Sequence, residues 1–201
     1  MKPCLAGVSR ETRTAFETFV SLLLRWNRTV NLIARSGEAM VWQRHIADSL
    51  QLVPLMQPLP HRAIDLGSGA GFPGLVLSLA TGVSFDLVEA DQRKAAFLRE
   101  AIRLTGAPAN VHAARIEGLD IPPARLITAR ALAPLPKLLE FASPLLKPAG
   151  ICLFLKGASV QAELTDSASE WHMQIEEIPS QTSSNARILR ISNLRRVTSA
   201  A

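Results

Sequence analysis

Apolar positions change their spacing near residue 60, and the change divides the chain. Between Ser9 and about Asn27, Phe16, Phe19, Val20, Leu23 and Leu24 recur at the three-to-four spacing of an amphipathic helix. Ser9 stands where a helix cap is needed. The segment NRTVNLIARSG breaks that pattern. Ser36 is placed to cap a second helical stretch, and WQRHIADSLQLVPLM reads as helix up to the region of Pro54. The proline-rich QPLPHR closes this all-helical part. Residues 1–60 thus read as a helical extension and residues 61–201 as a second, larger domain.

In that domain, strand and helix patterns alternate. AIDL is a short buried strand, followed by a glycine-rich turn and a small apolar helix to about Leu79. SFDLVEA is the second strand. DQRKAAFLREAIRLTG is a helix with Asp91 as its cap and Gly106 as its stop. NVHAA, RLITARA and ICLFLKG are further strands. LPKLLEFASPLLKPAG is a helix that Pro144 kinks or ends early, and Ser159 to about Ser167 is helical. HMQIEEIP and ARILRISNL alternate like two closing antiparallel strands around the polar turn SQTSSN. The expected fold is α/β: a mostly parallel seven-stranded sheet with an antiparallel last strand, helices on both faces, and an N-terminal helical extension. Ligands of such sheets bind outside the carboxyl ends of the strands.

The chemistry is concentrated at those ends. In AIDLGSGAGFPG the loop carries Gly67, Gly69, Gly71 and Gly74 between a strand and a helix. Glycine there admits positive φ and lets a ligand approach the main chain. Two registers fit. Gly69, Gly71 and Gly74 satisfy the dinucleotide spacing G-x-G-x-x-G. Asp65, Gly67, Gly69 and Gly71 satisfy D-x-G-x-G-x-G, the pattern of enzymes that use S-adenosylmethionine (AdoMet), with Asp65 beside the amino-acid end of the cofactor. The second register is preferred: it sets the first glycine directly after the apolar strand. Pro73 also removes an amide that a pyrophosphate would use. Glu89, twenty positions beyond Gly69, can accept both ribose hydroxyls of an adenosine in either register.

Composition narrows the chemistry. Lys plus Arg number 22 against 17 Asp plus Glu, a net charge of +5 that favours polyanionic partners. Only Cys4 and Cys152 are present, too few for a disulfide framework or a metal set, and a reducing cytoplasmic setting fits. No apolar run approaches a membrane span. The fourth strand ends TARALAP, without the Asp/Asn-Pro-Pro-aromatic run of exocyclic amine methylation. Cys152 lies within a strand rather than at the rim where carbon-5 methylation needs a thiol. Guanine N7, by contrast, offers an in-plane lone pair and needs alignment and dryness rather than a base.

The stretches LLLRWNRTVNLIA, RHIADSL, DLGSGAGFPG, VEADQRKAAFL, ARIEGL, ITARALAPL and LFLKG resemble the ribosomal RNA small subunit methyltransferase G family, also called glucose-inhibited division protein B. The resemblance runs from about Leu22 to Gly157. It implies a Rossmann-like AdoMet-dependent methyltransferase of class I and methylation at N7 of one guanosine in the 530 loop of 16S rRNA. It also implies the small ribosomal subunit as partner. By resemblance, the cofactor contacts fall at Gly67, Phe72, Ile116, Glu117 and Arg130, with Arg130 facing either cofactor or RNA. The second strand ends in Glu89 where the family more often has Asp.

Single residues keep two readings. Arg44 and Asp48, four apart, can pair on one helical face, or Arg44 can line the guanosine pocket. His45 reads as structural. Lys156 follows the fifth strand, either as a solvated strand-end lysine or as a donor to guanine O6 or phosphate. Arg130, Lys156 and Arg44 are the catalytic candidates. Arg187, Arg190, Arg195 and Arg196 form a basic stripe open to phosphate contact or to plain solvation. An NAD-dependent oxidoreductase and a non-catalytic RNA-binding assembly factor are the competing functions; no metal and a monomeric state are expected.

Overall fold

A computed structural model of the chain describes residues 8–197. Cys4 lies outside them. Helix α1 (Arg10–Trp26) begins as the apolar spacing requires, with the Ser9 hydroxyl accepting from the Thr12 amide at 3.2 Å. Its buried stripe is Phe16, Phe19, Val20, Leu22 and Leu23.

The second helical stretch departs from expectation. Ser36 caps nothing; it lies inside a 3₁₀ turn, Arg35–Met40, whose leading residue is Ala34. The cause is Asn27, whose side chain clamps the segment: Oδ1 accepts from the amides of Leu32 and Ile33, and Nδ2 donates to Glu38. The run 42–56 is also not one helix. It consists of a π turn (Trp42–Ile46), a short α2 (Ala47–Leu50) and a 3₁₀ turn at Pro54 (Val53–Met56).

The remainder follows the alternating pattern. β1 (Arg62–Leu66), α3 (Gly74–Thr81), β2 (Ser84–Val88), α4 (Gln92–Thr105), β3 (Ala109–His112) and β4 (Ala124–Arg130) come in order. α5 (Leu135–Ala142), β5 (Leu146–Lys156), α6 (Val160–Ser167), β6 (Trp171–Pro179) and β7 (Arg187–Arg196) complete the chain. Asp91 caps α4 through the Arg93 and Lys94 amides, and Gly106 ends it at φ +69°. Pro144 ends α5 early by falling in the 3₁₀ turn after it. β5 starts five residues before the ICLFLKG run, because Leu146 pairs with Ala124 across a bulge.

The sheet order is β3-β2-β1-β4-β5-β7-β6. β1 to β5 are parallel, and β7 runs antiparallel to both β5 and β6. The order reverses at β1, between β2 and β4, so a crevice opens at their carboxyl ends. Successive strand residues face opposite cores: Ala63 and Leu126 join one, Ile64 and Ile127 the other. Phe16 and Phe19 of α1 share the first core with Phe72, Leu75 and Phe97, so packing crosses residue 60 without interruption. Among the described residues, no helix is long and apolar enough to cross a membrane.

Candidate active site

The crevice is a cleft of about 470 Å³ at the carboxyl ends of β1, β2 and β4. Its floor is the glycine loop. Gly67, Gly69 and Gly71 have φ of +65°, +55° and +91°, a left-handed run that side chains rarely adopt. The loop is pinned by the Ser68 amide on the Val88 carbonyl (3.0 Å) and the Gly71 amide on the Ser68 carbonyl (2.7 Å). A Cβ at Gly67 would stand 2.5 Å from the Leu132 side chain, so Leu132 lies directly over this glycine. Gly74 has ordinary φ and is glycine for another reason: a Cβ there would stand 2.5 Å from the Cβ of Asp65.

Glu89 closes one wall. Its Oε2 accepts from the Gly69 amide and its Oε1 from the Asp91 amide, both at 2.8 Å. Two backbone amides thus fix the carboxylate, and each oxygen keeps a lone pair for a ligand. Ile116 and Glu117, in a 3₁₀ turn after β3, line the same cleft, as do Phe72 and Arg130. Lys94 and Arg115 also line it, a pair of cations that the glycine pattern gave no reason to single out.

Asp65, expected beside the amino-acid end of the cofactor, lies at the end of β1 directly against Gly74. It has no exposed surface and sits beneath the loop. The Thr128 hydroxyl donates to its Oδ1 at 2.6 Å, while Oδ2 accepts no hydrogen bond. Burial pushes its carboxyl up to about 6, against the pull of Thr128, Ser68, the nearby Gly74 amide and Arg130. The Asp65 side chain is held by Thr128 of β4 and packs against Gly74.

Arg130, at the end of β4, is tied to the helical extension. Its Nη1 donates to Asp48 at 3.2 Å and to the Arg44 carbonyl at 3.3 Å; its Nη2 meets His45 Nδ1 at 2.9 Å. Its guanidinium lies 5.0 Å from the Phe72 ring centroid, and His45 stacks on the same ring at 4.9 Å. Burial, then Arg130 and Arg44, push the His45 imidazolium down to about 4, so the ring is neutral and Nδ1 can accept. The pairing of Arg44 with Asp48 does not form. The π turn shifts the helical spacing, Arg44 points to solvent, and Asp48 is taken by Arg130, Thr182 and Gln51. Lys156 is not a solvated lysine. Only 8% of its side chain is exposed, and Nζ contacts Glu163 at 2.6 Å and the Ala133 carbonyl at 2.9 Å.

Residues 12–189 match the sequence family described as GidB, rRNA small subunit methyltransferase G. The chain belongs to this family. A "Ribosomal RNA small subunit methyltransferase G" of Granulibacter bethesdensis is 55% identical, over 97% of this chain and 92% of its own length. One of Gluconobacter oxydans is 53% identical, over 96% of this chain and all of its own. The family membership makes the chain an enzyme, an rRNA methyltransferase, and removes the oxidoreductase and non-catalytic alternatives. Solved structures agree in fold. An O-methyltransferase from Bacillus cereus in complex with SAH superposes with a TM-score of 0.59 at 14% identity, covering 88% of this chain and 91% of that one. The ribosomal protein L11 methylase from Lactobacillus delbrueckii subsp. bulgaricus gives 0.60 at 16%, covering 74% and 78%. The sheet and its switch point are those of the class I methyltransferases.

Proposed function

We propose that this enzyme transfers the methyl group of AdoMet to N7 of a single guanosine in the 530 loop of 16S rRNA, with the small ribosomal subunit as its substrate. The observation that carries the reading is the cleft itself: a left-handed glycine floor beside a carboxylate held by two amides at 2.8 Å. The residues fit AdoMet. Glu89 has the lone pairs for two ribose hydroxyls, Ile116 and Glu117 offer backbone to the adenine edge, and the loop from Gly67 to Phe72 is bare enough for the methionine portion. The cofactor supplies an electrophilic methyl on a sulfonium.

The chain's own groups position and exclude water; none is a base in waiting. His45 is neutral but its Nδ1 is engaged by Arg130. Cys152 is fully buried within β5, and burial pushes its thiol far up, away from thiolate. N7 carries no proton, so nothing is lacking for attack by its lone pair. Arg130 keeps positive charge and the Phe72 ring fixed at the floor, and the exposed Arg44 stands beside it for RNA phosphate. The reading sets the protein in the cytoplasm as a monomer.

Calorimetry with AdoMet and NAD, followed by labelled methyl transfer to unmethylated small subunits, tests this. AdoMet binding and strand scission chemistry specific for 7-methylguanosine are the expected results. Methyl on any other atom, or a preference for NAD, would refute it.

A further inference from the structure

A second depression of about 310 Å³ adjoins the cleft and shares Ala131 and Leu132 with it. Its far wall holds Lys156, Ser159 and Glu163. Ala131, on the shared border, has φ +50°, a strained value for a residue with a side chain.

The hydrogen bonds here leave two specific vacancies. Lys156 Nζ has three protons and two partners, Ala133 O and Glu163 Oε2, so one donor remains. Glu163 Oε2 takes both the Leu135 amide (2.7 Å) and Lys156, while Oε1 takes only the Ser159 hydroxyl (2.6 Å). One acceptor direction on Oε1 remains. Burial raises this carboxyl, but the bonds from Lys156, Ser159 and the Leu135 amide outweigh it and hold the pKa below the usual range, so Glu163 stays ionised.

We infer that this depression receives the target base, with Lys156 donating to guanine O6 and Glu163 Oε1 accepting from guanine N1–H. The inference rests on the N7 reading above and adds to it a specificity residue. The logic is the order of atoms around a purine. With N7 turned to the cleft, O6 comes next and N1–H after it. Lys156 and Glu163 present a donor and then an acceptor in that order. An adenine in the same pose would set its amino group against the Lys156 ammonium and its bare N1 against a carboxylate, two repulsive contacts. N7 orientation therefore makes an otherwise ambiguous donor–acceptor pair selective for guanine.

The test uses small subunits reconstituted with 16S rRNA carrying guanosine, 1-methylguanosine or 2,6-diaminopurine at the target, and the whole protein. Wild type should methylate guanosine and lose at least about tenfold in kcat/KM on both analogues. Glu163→Gln presents an amide that can donate to N1. It should lower kcat/KM on guanosine by about 10- to 100-fold and narrow the ratio of guanosine to diaminopurine, with AdoMet affinity unchanged. A purely structural role for Glu163 would lower both substrates together and leave the ratio where it was; that result overturns the inference. Wild-type transfer to 1-methylguanosine at near the guanosine rate overturns it too, whether or not the variant folds. In both cases the N7 reading survives. Failure of wild type to modify N7 of the unaltered guanosine sinks the N7 reading instead, and this one with it.

Discussion

Replacing Asp65 with asparagine should change how stability depends on pH. Asp65 is fully buried, and its carboxyl is pushed from 3.8 up to about 6. Its folded pKa is thus raised above the unfolded one, so the fold prefers the neutral acid. That stabilisation is whole below about pH 4 and is lost as pH rises through 6. A displacement of about two pKa units corresponds to about 3 kcal/mol. Asparagine has no such titration. The difference in unfolding free energy, Asp65→Asn minus wild type, should therefore move by about 3 kcal/mol in favour of the variant between about pH 4 and pH 8. Its starting value depends on how the new amide meets Gly74 and does not matter to the slope. Urea unfolding followed by tryptophan fluorescence, run on both proteins at matched pH, isolates this group because all others cancel in the difference. Parallel curves for the two proteins would refute the account, since they would mean that Asp65 titrates alike in both states.

Three further outcomes follow from the same geometry. Gly67→Asp should abolish AdoMet binding in calorimetry, because it fills the floor beneath Leu132 and forces a side chain to φ +65°, a conformation costing about 1–2 kcal/mol by itself. Asp48→Ala should destabilise the fold by about 2–4 kcal/mol in urea titration. It strips the partner from Arg130, whose side chain is only 18% exposed, and removes the acceptor for Thr182 and Gln51. Cys152 should resist alkylation until the protein unfolds, checked by mass spectrometry of native and denatured samples, since burial keeps its thiol protonated.

The parts of this structure that were legible in the sequence are those set by local chemistry. The α4 boundaries follow from Asp91 and Gly106, the loop from its glycines, and the strands from apolar runs between turns. What escaped was set by side-chain partners that apolar spacing does not reveal, some near in the chain and some far. Asn27 imposes a 3₁₀ turn where Ser36 offered a cap. A π turn removes the Arg44–Asp48 register and hands Asp48 to Arg130, 82 residues away. Asp65 reads as a ligand contact because the D-x-G-x-G-x-G register sets a carboxylate beside the loop; its burial shows only once Thr128 on the neighbouring strand is seen donating to it. Glu163 carried no signal at all: one acidic residue in a short helix looks like surface until Lys156 and the Leu135 amide are seen to converge on it.

Phe72 has one further consequence. Its ring is touched by Phe19 from α1 (5.6 Å between centroids), by His45 from the π turn and by Arg130 from the sheet. This residue of the cleft lining is thus a keystone between the helical segments and the strands. Trimming the chain back to residue 61 would take away two of those three supports and leave an aromatic hub open to water. The N-terminal helices and the sheet thus hold one ring in common, and a displacement of the helices would be felt first at the lining of the cleft.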